Sequence, residues 1–276
     1  MTYFGFLAIF LGTPITVLLA WHLLQEKSAA RESPWRLDRT AAFVIALHVV
    51  IAVVYTTPWD NYLVATGVWW YDPALVTGLT LGWVPIEEYT FFVVQPILSG
   101  LLLLLFMDRL PAPKLFTQKL VRVRVVSVAL LGLIWLPALA VLFSDWSRGV
   151  YLSLELVWAL PPIMLQFAFG ADLLWHYRRG VLPAILAPTL FLSAADALAI
   201  RTGIWTIDPA QSLHYLLGGV LPLEELFFFL LTNTLIVFGV TLSLAPESRE
   251  RLHAIKQWLR VYFTSRRSSV RRSAEW

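Results

Sequence analysis

Seven stretches of the chain are apolar enough and long enough to cross a bilayer. A spanning helix needs about 20 mostly apolar residues, and the runs 3–24, 41–65, 85–106, 123–143, 151–174, 181–200 and 220–244 meet or approach that length. The pattern predicts an all-α membrane protein of seven transmembrane helices. No polar block between the runs approaches the roughly 50 residues that a domain needs, so no separate soluble domain is expected. The first run has no positive leader before it, and Lys27 lies after it. It therefore reads as a first span rather than a cleaved signal peptide.

Composition agrees: 58% of the residues are hydrophobic and 14% charged, against about 25% charged in soluble domains. There is no cysteine, which excludes disulfides and Cys-ligated metal. The placement of the basic residues carries an orientation signal. Of the 21 lysines and arginines, all but Arg148 and Arg201 lie in the segments after the first, third and fifth runs and in the tail. The positive-inside rule then expects the N-terminus outside and the C-terminus in the cytoplasm, as an odd number of spans requires. The tail from Pro246 on is basic, with Trp258, Tyr262 and Phe263 interspersed. It reads as a retention signal for topology, with its first turns on the membrane surface.

The chain is written twice. Asp60, Gly67, Trp69, Asp72 and Pro73 recur 136 positions later as Asp196, Gly203, Trp205, Asp208 and Pro209. Pro85, Glu87, Glu88, Phe91 and Phe92 recur 137 positions later as Pro222, Glu224, Glu225, Phe228 and Phe229. Trp21-His22 and Trp175-His176 match in a looser register. Spans 1–3 thus correspond to spans 5–7, with span 4 as connector. The expected divisions are 1–110 and 149–245 for the two repeats, 111–148 for the connector and 246–276 for the tail. An offset of four spans makes the repeats parallel, with their shared site at the interface.

The candidate chemistry sits in the repeated motif. Pro85 and Pro222 fit the first turn of a helix, and the glutamates follow at once. Acidic side chains there suit the positive helix end, which is a structural role. Ionisable groups within a membrane segment are nevertheless functional candidates. On a helix, Glu88, Phe91, Phe92 and Gln95 share a face, as do Glu225, Phe228, Phe229 and Thr232. Glu87 and Glu224 lie about 100° round. A glutamate titrates near about 4.3 in water, and burial or a neighbouring carboxylate raises that value. Such a pair can keep one carboxyl protonated as a proton donor. Asp60 and Asp196 read as a base, a hydrogen-bond partner to a glutamate, or helix-end polarity. Trp69 and Trp205 suit an interfacial belt or a pocket wall, and Asp72-Pro73 and Asp208-Pro209 suit turns. His22 and His48 read as packed histidines, and Glu155 has no repeat mate. No Gly-x-Gly-x-x-Gly fingerprint, phosphate-binding Gly-Lys loop or Asp-x-x-x-Asp motif occurs. All four lysines lie outside the spans, which excludes a retinal Schiff base.

The paired Pro-x-Glu-Glu-x-x-Phe-Phe motifs, preceded by Pro58-Trp59-Asp60-Asn61 and Asp196-Ala197-Leu198-Ala199, resemble the membrane-integral lycopene cyclase family over about residues 1–244. The single chain resembles a fusion of the two-subunit bacterial type, and the cyclase half of fungal bifunctional carotenoid enzymes. The resemblance implies that Glu87, Glu88, Glu224 and Glu225 are the acid residues, with Asp60 and Asp196 beside them. Beside them, Phe91, Phe92, Phe228, Phe229, Trp69, Trp205 and Gln95 read from their positions as the candidate substrate wall. The expected reaction protonates C2 of a lycopene end, closes the ring by attack of C5=C6 on the C1 cation, and loses the C6 proton. Phenylalanine faces would stabilise the cation and keep water out. The expected partners are a carotenoid and membrane lipids, with no cofactor, metal or nucleic acid, in the cell membrane. A hydratase, or a cyclase of C50 or ε-ring carotenoids, uses the same scaffold. A proton-coupled transporter is the alternative of another class, disfavoured by the expected lack of helix-breaking Gly/Pro pairs at midplane.

Overall fold

The computed structural model describes residues 1–26, 33–110 and 120–257. Among them are seven helices long and apolar enough to cross a membrane, each close to a run expected from the sequence. The first begins as α1 (Tyr3–Leu7), widens into a π turn at Ala8–Gly12 and continues as α2 (Thr13–Glu26). Pro14 accounts for the widening, because it has no N–H for the carbonyl four residues back. Thr13 Oγ1 donates to the Ala8 carbonyl at 3.2 Å within the same turn. Next come α3 (Arg39–Ala65), α4 (Ile86–Asp108), α5 (Val121–Val141), α6 (Val150–His176), α7 (Arg178–Arg201) and α8 (Leu223–Leu244). The carboxylate of Asp38 caps α3 by accepting from the Ala41 N–H at 2.7 Å.

The two motif-bearing helices, α4 and α8, form the centre. They pack on each other, α4 also packs on α3 and α7, and α8 also packs on α6, α7 and α3. The halves of the sequence therefore interlock. A polar bridge crosses the centre. Gln95 Nε2 donates to Asn233 Oδ1 at 2.8 Å, Ser99 Oγ to the same oxygen at 2.6 Å, and Asn233 Nδ2 to Thr189 Oγ1 at 3.1 Å. Mutual satisfaction is what makes these amides tolerable in so apolar an interior. The connector α5 lies on the outside along α6, with Ala138 as its one buried residue.

The interhelical loops hold short strands that the sequence pattern did not announce, because runs of two or three residues are too short to show a period. β1 (Trp69–Tyr71) pairs antiparallel with β4 (Trp205–Ile207), and Trp70 faces Thr206 at the centre. Those two residues are 136 positions apart, so the ribbon is symmetric about repeat mates. Hairpins β2 (Thr80–Leu81)/β3 (Val84–Pro85) and β5 (Leu216–Leu217)/β6 (Leu221–Pro222) lead into α4 and α8. Pro85 and Pro222 thus stand at the N-cap, one residue ahead of the helix. Asp72 and Asp208 accept from the N–H two residues on, at 2.9 Å each, as turn residues.

Two further differences concern α6 and the tail. α6 carries Pro161 and Pro162 and departs from helical geometry at Gly170 (φ −155°, ψ 30°), so a proline- and glycine-interrupted span does exist. A Cβ at Gly170 would meet Leu242 Cδ2 at 2.4 Å, which explains the glycine by the close approach of α8. The chain is helical again over 246–257. There Arg251 turns back to Asp172 on α6 with bonds of 2.9 and 2.8 Å and also donates to the Phe169 carbonyl. Arg124 of α5 reaches Asp172 at 3.2 Å. The start of the tail is thereby docked on the bundle. Trp258, Tyr262, Phe263, Lys27, Arg31, Lys114, Lys119 and the basic residues after Lys256 lie outside the described residues.

Candidate active site

Matching bonds carry the loops to the site. The Tyr3 N–H donates to the Leu75 carbonyl at 2.8 Å, and the Tyr151 N–H to the Gln211 carbonyl at 3.0 Å. The Thr77 N–H donates to Glu87 Oε1 and the Leu213 N–H to Glu224 Oε1, both at 2.6 Å. Leu75 and Gln211, and Thr77 and Leu213, are again 136 positions apart. Glu87 and Glu224, 1% and 0% exposed, therefore hold the preceding loops rather than the ends of their own helices.

The second glutamate of each motif turns the other way, into one chamber between the halves. Glu88, Glu225 and Asp196 supply its carboxyls, and Phe91, Phe228, Phe229, Trp69 and Trp205 are among its walls. It encloses about 530 Å³ of atom-free space counted to its mouth. Both tryptophans line the chamber. Phe92 and Gln95 line a second cavity, which Phe91 and Phe228 share. Asp60 is buried beside Glu88, close enough for their charges to interact, but does not line the chamber.

The two sides of the chamber differ in their hydrogen bonding. Glu88 Oε2 accepts from the Tyr3 hydroxyl at 2.5 Å and from the Tyr71 hydroxyl at 3.0 Å. Trp69 Nε1 donates to the Tyr71 oxygen at 2.9 Å, fixing that hydroxyl as a donor onward. Burial, with Glu88 and Asp60 beside it, pushes the Tyr71 phenol well above its ordinary range, so it stays protonated. On the opposite side, Tyr151 donates to Glu225 Oε1 at 2.6 Å, and Trp205 Nε1 to Asp196 Oδ1 at 2.8 Å. The carboxyls of Glu225 and Asp196 lie close enough for their charges to interact. Glu155 lies on this side too, fully buried and beside Tyr151 and Glu225. The mate of Tyr71 is Ile207, so the second side lacks the extra phenol.

Sequence reasoning missed Tyr3, Tyr71 and Tyr151. A tyrosine at the start of an apolar run looks like an interfacial anchor. The available signal was that Tyr3 and Tyr151 open spans 1 and 5 alike. Trp59 was also missed: it lines an apolar groove with Tyr55 and Trp158. It stacks on Trp158 at 4.5 Å between ring centroids and lies parallel to Phe228 at 6.0 Å. Among the described residues no cluster of His, Asp and Glu side chains is arranged to hold a metal ion.

Comparison with known proteins adds a family to this geometry. A family model described as lycopene cyclase matches residues 1–107 and 148–242. The chain is 38% identical over 241 residues to a lycopene beta-cyclase of Halobacterium salinarum, covering 87% of this chain and 95% of that protein. It is 35% identical over 213 residues to a bifunctional lycopene cyclase/phytoene synthase of Gibberella fujikuroi, covering 74% of this chain and 35% of that longer protein. A bifunctional protein of the same description from Phaffia rhodozyma is 34% identical over 228 residues, or 76% of this chain and 33% of its own length. No solved structure matches the chain.

Proposed function

The chain belongs to the lycopene cyclase family, and we propose that it is a lycopene β-cyclase whose chamber closes β-ionone rings on the ends of lycopene. The observation that carries the reading is the buried, aromatic-walled space holding carboxyls from both halves of the chain. On this reading the Glu225–Asp196 pair carries one proton, because two buried carboxyls at close quarters resist ionising together, and it delivers that proton to C2 of the end group. The tertiary cation at C1 is then attacked by C5=C6. Glu88, accepting from Tyr3 and Tyr71, has the bonding of a carboxylate, and takes the C6 proton as the ring double bond forms. One proton enters and one leaves, so the reaction is redox-neutral. The Phe91, Phe228 and Phe229 rings border the site where the cation forms, and cation–π attraction is worth about 2 kcal/mol or more when desolvated.

Glu87 and Glu224 act on this reading by holding the loops that place Tyr71 and the chamber walls. A glutamine can accept the same N–H bond. Glu224→Gln and Glu87→Gln should therefore keep ring formation within roughly tenfold of the parent, where the neighbouring substitutions cost about 10²–10⁴-fold. Initial rates on lycopene in membranes would check this.

The protein is a multi-pass membrane protein, placed by this reading in the cell membrane. The two parallel repeats have a local twofold at the β1–β4 ribbon, with the N-terminus outside and the C-terminus in the cytoplasm. The direct test of function is expression beside a lycopene-producing pathway, followed by pigment analysis. Mono- and bicyclic carotenes with β rings are expected. Unchanged lycopene, or a hydroxylated end group from water capture, overturns the assignment.

A further inference from the structure

The acid chamber is far shorter than a carotenoid, so most of the substrate must lie elsewhere. A second cavity begins where the chamber ends. It lies between α3, α4, α6 and α8 and has Phe91 and Phe228 in common with the chamber. Its walls include Ala52, Thr56 and Thr232. On its other side it shares Ile51, Tyr55 and Trp158 with an apolar groove on the surface that faces lipid. Three spaces thus follow one another from the bilayer to the carboxyls, each joined to the next by shared residues.

The groove marks a weak seam. α3 and α6 are not among the closely packed helix pairs. Side chains bridge them instead: the Tyr55 hydroxyl donates to the Trp158 carbonyl at 2.8 Å, and Trp59 Nε1 to the Leu154 carbonyl at 3.1 Å. The rings form a graded stack from lipid to acid. Tyr55 lies nearly parallel to Trp158 at 5.7 Å, Trp158 to Trp59 at 4.5 Å, and Trp59 to Phe228 at 6.0 Å. A flat conjugated chain gains from sliding along such faces.

We propose that the polyene chain of the substrate binds in the cavity between α3, α4, α6 and α8, and that it enters from the bilayer through the α3/α6 seam past Tyr55, Trp59 and Trp158. This rests on the cyclase reading. It also follows that the threaded chain plugs the chamber from its lipid side. Because one chamber holds the acids of both repeats, a molecule must withdraw and turn round before its second end can react. The monocyclic product is therefore released between the two ring closures.

The test fills the cavity from two walls. In membranes supplied with lycopene, Ala52→Phe and Thr232→Phe should each lower the rate at limiting lycopene at least tenfold. Ala46→Phe, on the lipid-facing side of α3, should stay within twofold. A second measurement does not depend on turnover. A photoreactive benzoylphenylalanine at Ile51 should capture lycopene on irradiation, and the same group at Leu133 on the exposed face of α5 should not. Parental rates in both filled variants, or equal capture at the two positions, overturn the proposal. If a filled variant fails to accumulate, the capture experiment decides. Capture at Ile51 by a protein that forms no ring leaves the binding path standing and removes the cyclase reading instead.

Discussion

Glu225→Gln is expected to leave lycopene unreacted, with ring formation lowered by about 10²–10⁴-fold, the usual contribution of a positioned general acid. The amide keeps the shape and still accepts from Tyr151, but it cannot carry the proton that the reaction needs. Glu88→Gln should lower β-ring formation to a comparable degree by a different route. Its proton donor is intact, so lycopene is still consumed. With no base beside C6, the cation loses a different proton or is caught by water, and other rings or hydroxylated ends accumulate. Product spectra and masses separate the two variants. Unreacted lycopene with Glu88→Gln, and altered products with Glu225→Gln, would exchange the roles of the two sides. Full activity in both would remove the carboxyl assignment.

Asp172→Ala is expected to cost the fold about 3 kcal/mol while leaving the chemistry alone. The Asp172 side chain has no solvent exposure and binds Arg251 and Arg124 at once. Removing one member of a buried ion pair typically costs about 3–5 kcal/mol, because the remaining charge is stranded. The two arginines are 11% and 18% exposed and recover some hydration, which places the expectation at the low end. A lowered melting temperature in detergent, with an unchanged rate per folded molecule at low temperature, is the result to look for. An unchanged melting temperature would mean that the tail is held by other contacts.

The spans were legible because membrane helices leave a continuous apolar signal, and the bend in α6 was not, because Pro161, Pro162 and Gly170 are ordinary residues in such a run. The motif was legible because it occurs twice. Its division of labour was hidden, since Glu87 and Glu88 differ only in which way a helix start is turned relative to a loop. Thr77 N–H and the Tyr3 hydroxyl settle that difference, and neither belongs to the motif. The Gln95–Asn233 bridge escaped for a related reason: the two are not repeat mates, so no fixed offset joins them. Ile207 stands where the second half would carry a counterpart of Tyr71, and this departure from symmetry distinguishes the two sides of the chamber.

The central claim is a proton handed to an alkene by a buried carboxyl and a second proton returned. Protein in lipid vesicles equilibrated with deuterium oxide, then supplied with lycopene, tests it most directly by product mass. A cyclic carotene one mass unit heavier for each ring formed is the predicted result, with the deuterium at C2. A ring without deuterium, or a product heavier by the elements of water, would contradict it.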